Sequence, residues 1–355
     1  MQGFVTTAEP APIDLDRVLS PEWLAAALAR DGAPADVKSV KVVDIFGPSA
    51  TKARVELEFG SRSAGLHRAY CIKGFFGAGA LGYLKSGVQV TEASFYRECA
   101  ARLPVRVPDC AYAGVDRETN AGVIVMKDLI TAGARFLTAL EPYTVEQARA
   151  SLDQLARLHA ASSTPEMLAH WPWVRSRVEE LTRYQHVPAP RVTELMTTDR
   201  GEGLPDEVRD GERIYAALAA IGRRTASSPL CLIHGDAHAG NVFQAAGGIG
   251  LVDWQLLQRG QWSLDVAYHV AAVLTVDDRR ASEEELLRHY LARFTAHGGA
   301  APDFAEAWTR YREALAYGLF LWAITVRVDP SIIRQFIIRL GTAVADHRSM
   351  HLLGV

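Results

Sequence analysis

The sequence predicts an α+β fold of two units, a small mainly β one followed by a larger mainly α one. Three observations carry that expectation. Residues 37–74 are patterned as strands. From Thr144 onward apolar residues recur with the 3.6 period of buried-faced helices. That helical half is interrupted once, by a short apolar run and a hairpin within residues 230–253.

Taken in order, Ser20 and Pro21 are the cap and first-turn residues of an opening helix through residues 22–29. Residues 40–46 are apolar-rich, and residues 53–59 alternate Val55, Leu57 and Phe59 against Glu56 and Glu58. Residues 69–74 hold a short run of buried type, so three successive strands predict a meander. Residues 89–103 read as a helix, with Phe95, Cys99 and Leu103 spaced by four, and residues 121–126 as a further strand. In the second unit Leu152, Leu155, Leu158 and His159 share one stripe, and the same period runs through 283–294, 304–327 and 331–347. The interruption is a strand at 230–233, then strands at 242–244 and 249–253 around a Gly247-Gly248 turn. Residues 187–210, polar and bearing Pro and Gly, read as a surface excursion.

A chain of 355 residues with 49% hydrophobic and 22% charged composition can bury one large core or two modest ones. Its 38 basic and 41 acidic residues leave a net charge of -3, which disfavours a nucleic-acid surface or a polybasic membrane patch. Cys71, Cys99, Cys110 and Cys231 form no C-x-x-C pair and sit in apolar segments, against a disulfide framework or cysteine zinc site and in keeping with a reducing cytoplasm. Residues 1–12 lack the basic start and apolar region of an export signal. The longest apolar stretch, near 319–324, is far short of the roughly 20 residues of a membrane span. A cytoplasmic monomer or homodimer is therefore expected, with neither membrane nor nucleic acid as partner. The only lysines are Lys38, Lys41, Lys52, Lys73, Lys85 and Lys127, so chemistry needing a point-like ammonium must use the first part of the chain.

The hairpin concentrates polar groups, because the segment from His234 through Gly235, Asp236 and His238 to Asn241 ends one strand and begins another. A Gly247-Gly248 turn would put Val242 roughly opposite Asp253 and bring Asn241 beside Asp253. An amide oxygen next to a carboxylate suits a hard cation such as magnesium, with positions left for phosphate oxygens. Asp236 would lie near that metal yet stay free to accept a proton from a hydroxyl. Lys73 ends a buried strand, where its ammonium needs a partner, and the following helix offers Glu92 or Glu98. A lysine so steered can hold nucleotide phosphates.

The H-G-D-x-x-x-x-N stretch at His234 to Asn241, the V-D-W-Q at Val252 to Gln255 and the D-V-A-Y at Asp265 to Tyr268 resemble the aminoglycoside phosphotransferase and choline kinase-like family of small-molecule kinases. The resemblance runs from about Val40 to the mid-300s and is looser after Tyr268. It implies a bilobal protein kinase-like fold, with an N-lobe over residues 1–127 and a helical C-lobe over 128–355 carrying the catalytic loop, metal site and acceptor pocket. It implies ATP at the lobe junction, magnesium, and transfer of the γ-phosphoryl group to a small-molecule hydroxyl. By that likeness Asp236 is the catalytic base, Asn241 and Asp253 are metal ligands, and Lys73 holds phosphates. Glu92 orients Lys73, because Glu92-Ala93-Ser94-Phe95-Tyr96 resembles the family's E-x-x-F-Y helix. Met126-Lys127-Asp128-Leu129 resembles its hinge, so backbone at Lys127 and Leu129 would meet the adenine edge. The loop expected over the phosphates, residues 47–52, has a single glycine and offers Ser49 and Thr51. Lys127 stands where the family commonly has an acidic residue.

Other readings compete. Gly77, Gly79 and Gly82 match G-x-G-x-x-G, but no parallel strand follows promptly, and the glycine loop of a kinase precedes its lysine strand. His234, Asp236 and His238 alternate as metal-hydrolase ligands could, without a further ligand cluster. A metal-free reading has His234 fix the loop backbone, Asp265 act structurally, and His159 and His269 sit satisfied in the core. An inactive kinase-like binding protein would lack one of the catalytic positions, and none is lacking. A protein kinase would have Phe-Gly after Asp253 and an A-P-E segment, and this chain has neither.

For the acceptor, residues 277–355 carry ten arginines and ten acids. That balance favours an apolar or aromatic alcohol over a polycationic aminoglycoside. Trp308, Tyr311, Tyr317, Phe320 and Trp322 are candidate lining, or could stack on a choline-type cation, although plain core packing accounts for most of them.

Overall fold

The computed structural model describes residues 8–30, 32–47, 50–60, 65–77 and 85–355. It is α+β, an antiparallel sheet followed by a helical region. The chain divides into two compact units. One comprises the residues up to Arg102 with Val107–Arg135 and Asp253–Leu256, the other Leu103–Arg106, Phe136–Val252 and Leu257–Val355.

The first unit begins with α1 (Leu15–Val18) and α2 (Pro21–Ala27). Ser20 caps α2 by accepting from Trp23 N, as the Ser-Pro signature requires. The strands β1 (Val37–Phe46), β2 (Thr51–Phe59), β3 (Ala69–Gly74), β4 (Cys110–Asp116) and β5 (Ala121–Lys127) form one sheet in the order β1-β2-β3-β5-β4, every pair antiparallel. Among the described residues there is thus no parallel βαβ unit to support the dinucleotide reading; of its glycine motif, residues 78–82 lie outside the described residues. Side chains alternate across the sheet. Ala53, Val55, Leu57, Tyr70 and Ile72 join Trp23 and Leu24 in a buried core, with the Trp23 ring edge-on to Tyr112 at 5.4 Å. Lys73 and Lys52, paired across β3 and β2, therefore lie on the opposite face. β4 had no counterpart in the sequence reading. The helix expected over 89–103 is α3 (Val88–Ser94), continued by a π-helical turn at Phe95–Cys99 and a short 3-10 turn.

In the second unit α4 (Val145–Ala161) opens on a reciprocal cap between Thr144 and Gln147. Next come α5 (Pro165–Ala169), α6 (Val178–Arg183), α7 (Ala189–Met196), α8 (Asp206–Arg209) and α9 (Gly211–Ala226), then α10 (Trp262–Val273), α11 (Val276–Ala296), α12 (Phe304–Ala323), α13 (Pro330–Asp346) and α14 (Ser349–Leu353). Residues 187–210 are not the expected excursion: they hold α7 and α8, with Val192, Met196, Leu204 and Val208 buried. The prolines that suggested a loop stand at helix starts, where a missing N–H costs nothing. Every residue of α10 is buried. Gly318 lets α12 close on it, since a Cβ there would lie 2.5 Å from the Tyr268 ring.

Between α9 and α10 run the short strands Cys231–Ile233, Val242–Ala245, Gly248–Leu251 and Gln258–Gly260. The hairpin register differs from expectation. Val242 faces Leu251, not Asp253, and the turn is Ala246-Gly247, with the positive φ of 88° at Gly247. Asn241 is consequently opposite Val252, whose N–H donates to Asn241 O at 2.9 Å.

Candidate active site

In the first unit, Lys73 Nζ lies 2.7 Å from Glu92 Oε2 and 2.9 Å from Asp253 Oδ1. Lys73 and Glu92 are fully buried. Burial alone would discharge the lysine, but Asp253 and Glu92 outweigh it and hold its pKa above the usual lysine range. Glu92 rather than Glu98 is the partner; Glu98 bonds Arg97 at 2.6 Å. Trp254 N donates to the second Glu92 oxygen at 3.2 Å, and the Trp254 ring stacks on Phe95 at 3.8 Å, so α3 fixes the segment carrying Asp253. Asp253 has a left-handed backbone, φ 67°, a conformation tolerated by Asp and frequent at functional sites. Lys52 Nζ is 3.9 Å from its Oδ2, a neighbour the sequence reading missed although strand alternation puts residues 52 and 73 on one face.

Thr51 opens β2 opposite Gly74; Ser49 lies outside the described residues. Lys127 ends β5 with its N–H donated to Asp109 O. Asp128 accepts from Arg54, Thr131 and Ile130 N, which shapes the turn holding Leu129.

In the second unit, residues 234–241 form a loop braced from below. Asp265, fully buried on α10, accepts from His234 N at 2.6 Å, Gly235 N at 2.8 Å and His159 Nε2 at 3.1 Å. Burial opposes its ionisation, but His159 and the loop amides keep its pKa below the usual carboxylate range. His234 ties the loop to the hairpin through Val252 O at 2.9 Å and accepts from Asp236 N at 3.2 Å. Gly235 has φ 81°, which favours glycine. These contacts are the structural roles read for His234 and Asp265. His159 also bonds Tyr290 Oη, and His269 bonds Ser151 Oγ and Ala237 O.

At the centre, the Asn241 amide nitrogen donates to Asp236 O at 2.8 Å and to Asp236 Oδ2 at 3.2 Å. Tyr268 Oη donates to Asp236 Oδ1 at 3.0 Å and Tyr317 Oη to Gly235 O at 2.8 Å. Burial and the adjacent Asp236 carboxylate push the Tyr268 pKa well up, so the phenol keeps its hydrogen. Trp322 Nε1 donates to Tyr268 Oη at 2.8 Å. Tyr311, Tyr317, Phe320 and Trp322 are buried, and of the aromatic residues considered for the acceptor these serve the core and the loop. Among the described residues no group of three His, Cys, Asp or Glu side chains could hold a metal, which removes the His234/Asp236/His238 hydrolase site.

A family model described as the phosphotransferase enzyme family, APH, matches residues 90–313. An uncharacterized kinase-like protein of Caenorhabditis elegans is 33% identical over 88 residues, 24% of this chain, and the match spans 23% of that relative's length. Choline kinase from Cryptosporidium parvum Iowa II is similar in structure, with TM-score 0.52 and 11% identity over 88% of this chain and 89% of that one. An aminoglycoside 2'-phosphotransferase-IIIa, solved as a GDP complex, has TM-score 0.51 and 12% identity over 87% and 93%. At such identities the likeness is one of fold. No helix among the described residues is long and apolar enough to cross a membrane.

Proposed function

This chain belongs to the APH phosphotransferase enzyme family, and from that membership we propose an ATP-dependent O-phosphotransferase acting on the hydroxyl of a small molecule. The observation that carries the reading is the buried ammonium of Lys73, held charged between Glu92 and Asp253. A buried ion pair is weak support for stability, since apolar residues of similar volume serve as well, whereas a fixed ammonium is what nucleotide phosphates require.

In this reading Lys73 binds phosphate oxygens and Glu92 orients it. By the family likeness Asn241 and Asp253, an amide oxygen and a carboxylate of the kind magnesium prefers, would be its ligands, and magnesium when bound would neutralise phosphate charge and polarise the transferred group. Asp236 accepts the proton of the attacking hydroxyl. Backbone at Lys127 and Leu129 meets the adenine edge, and Thr51 lies near the phosphates. The four cysteines are unpaired, which suits a cytoplasmic enzyme.

The balanced charge of residues 277–355 supports an apolar or aromatic alcohol rather than a polycation. The test is ATP consumption across a panel of alcohols, amines, sugars and phenols, including choline and an aminoglycoside, with product masses checked for one added phosphate. Transfer only to the aminoglycoside would overturn the acceptor class. Asp236→Asn should keep MgATP binding and lose transfer by roughly a hundredfold or more. Full turnover in that variant would overturn the assignment of the base.

A further inference from the structure

We propose that Tyr96 is a positioning residue for the phosphate-binding ammonium, its hydroxyl donating to Glu92 when nucleotide phosphates draw on Lys73. This rests on the phosphotransferase reading above and gives a role to a buried group to which that reading assigns none.

Tyr96 is 5% exposed, and among the described residues its Oη is a buried oxygen with no hydrogen-bond partner. Such a hydroxyl is costly, because it has lost water and gained nothing in exchange. Its complement stands on the same helical run. Glu92 Oε2 is in ionic contact with Lys73 Nζ at 2.7 Å yet accepts no directed hydrogen bond, whereas Oε1 accepts from Trp254 N. Tyr96 follows Glu92 by four residues, the spacing that sets side chains on one face of a helix. Between them, at Phe95, α3 passes into its π-helical turn, a widening frequent at functional sites. The Phe95 ring meets Tyr96 edge-on at 5.3 Å while stacked on Trp254, which holds the phenol in place. Burial first, and then Glu92 as the strongest of the charges acting on it, push the Tyr96 pKa well up, so the phenol keeps its hydrogen and is a donor.

Lys73 Nζ serves two carboxylates, Glu92 at 2.7 Å and Asp253 Oδ1 at 2.9 Å. Phosphate oxygens that engage the same ammonium divide its three hydrogens and its charge among more anions. Glu92, buried away from water, is then short of compensation. The Tyr96 hydroxyl supplies it, and an O–H donated to a carboxylate is among the stronger hydrogen bonds. The hydroxyl is thus unsatisfied without phosphates and satisfied with them. Its bond therefore counts toward nucleotide affinity and not toward the stability of the free protein.

Tyr96→Phe separates this role from packing, since it removes the oxygen alone. The free variant should unfold in denaturant no more easily than wild type, because an unsatisfied buried group has been deleted. Its Kd for MgATP, measured by calorimetry, should rise about tenfold, the worth of a hydrogen bond to a charged group. The Kd for magnesium tripolyphosphate should rise equally, and that for adenosine should stay within about twofold, since only phosphates draw on Lys73. A less stable free variant would mean that the hydroxyl is already bonded, and an unchanged Kd for MgATP that it never becomes so; either result overturns the proposal. An equal loss of adenosine binding overturns it as well, by tracing the effect to the shape of the base pocket. Wild-type protein that binds neither MgATP nor tripolyphosphate would instead overturn the phosphotransferase reading itself.

Discussion

Tyr268 donates its phenolic hydrogen to Oδ1 of Asp236 at 3.0 Å, and the direction of that bond is fixed by a third residue. The Trp322 indole can only donate, and it donates to the phenol oxygen at 2.8 Å. The single hydrogen of Tyr268 is therefore committed to Asp236. Tyr268→Phe should keep the fold and the KM for MgATP while lowering kcat ten- to a hundredfold, the worth of one hydrogen bond to a charged group. Steady-state kinetics over a full ATP titration checks it, and a change confined to KM would count against it.

The Lys73, Glu92 and Asp253 cluster makes a stability prediction as well as a catalytic one. Lys73→Met leaves Glu92 buried without its counter-charge and should cost about 3–5 kcal/mol. Adding Glu92→Gln removes that charge and keeps an oxygen for Trp254 N, so the double variant should recover most of the loss while remaining inactive. Denaturant unfolding of both variants decides it. Equal stability of single and double variants would show that buried charge is not the cause.

Lys73, Asp236, Asn241 and Asp253 stood out as candidates because each lies on or beside a short strand whose local pattern is strong, whereas the helix after the lysine strand left Glu92 and Glu98 open, and the likeness of Glu92-Ala93-Ser94-Phe95-Tyr96 to the family's helix chose the residue that pairs with Lys73. The hairpin register was misread by one step on each side: two adjacent glycines leave the turn position ambiguous, and only the pairing of Ala245 with Gly248 resolves it. β4 was invisible for a different reason. Its small residues answer to a distant contact, since a Cβ on Gly114 would lie 1.6 Å from Pro10 O. Tyr268 and Trp322 are 54 residues apart and meet through α10 and α12, a packing that no local window contains.

Asp265 organises the loop that carries Asp236, and its three donors leave no room for an amide NH2. Asp265→Asn should destabilise the protein by about 3 kcal/mol. Because its pKa is depressed in the folded state, the stability Asp265 contributes is present above about pH 4, the unfolded carboxylate value, and is lost as pH falls through the folded one. Acid unfolding below that pH should accordingly be steeper in wild type than in the variant. Identical acid limbs by circular dichroism would contradict the assignment.

His269 sets a second, higher pH window. Burial pushes its pKa down to about 4, against smaller opposing effects of Ala237 O and Asp265. Unfolded, it would titrate near 6.5. Between those values the unfolded chain binds a proton that the folded one refuses, so stability falls as pH drops from about 6.5 to 4, by about 3 kcal/mol in all. In His269→Asn the side chain can still donate to Ala237 O but cannot titrate. That variant should be less stable at pH 7 yet show a flatter stability profile between pH 6.5 and 4. The slope rather than the absolute stability is the informative quantity, because any substitution in a fully buried site lowers the latter, whereas only loss of the imidazole removes the proton uptake. Parallel wild-type and variant profiles across that window would mean that the His269 ring is protonated in the folded protein.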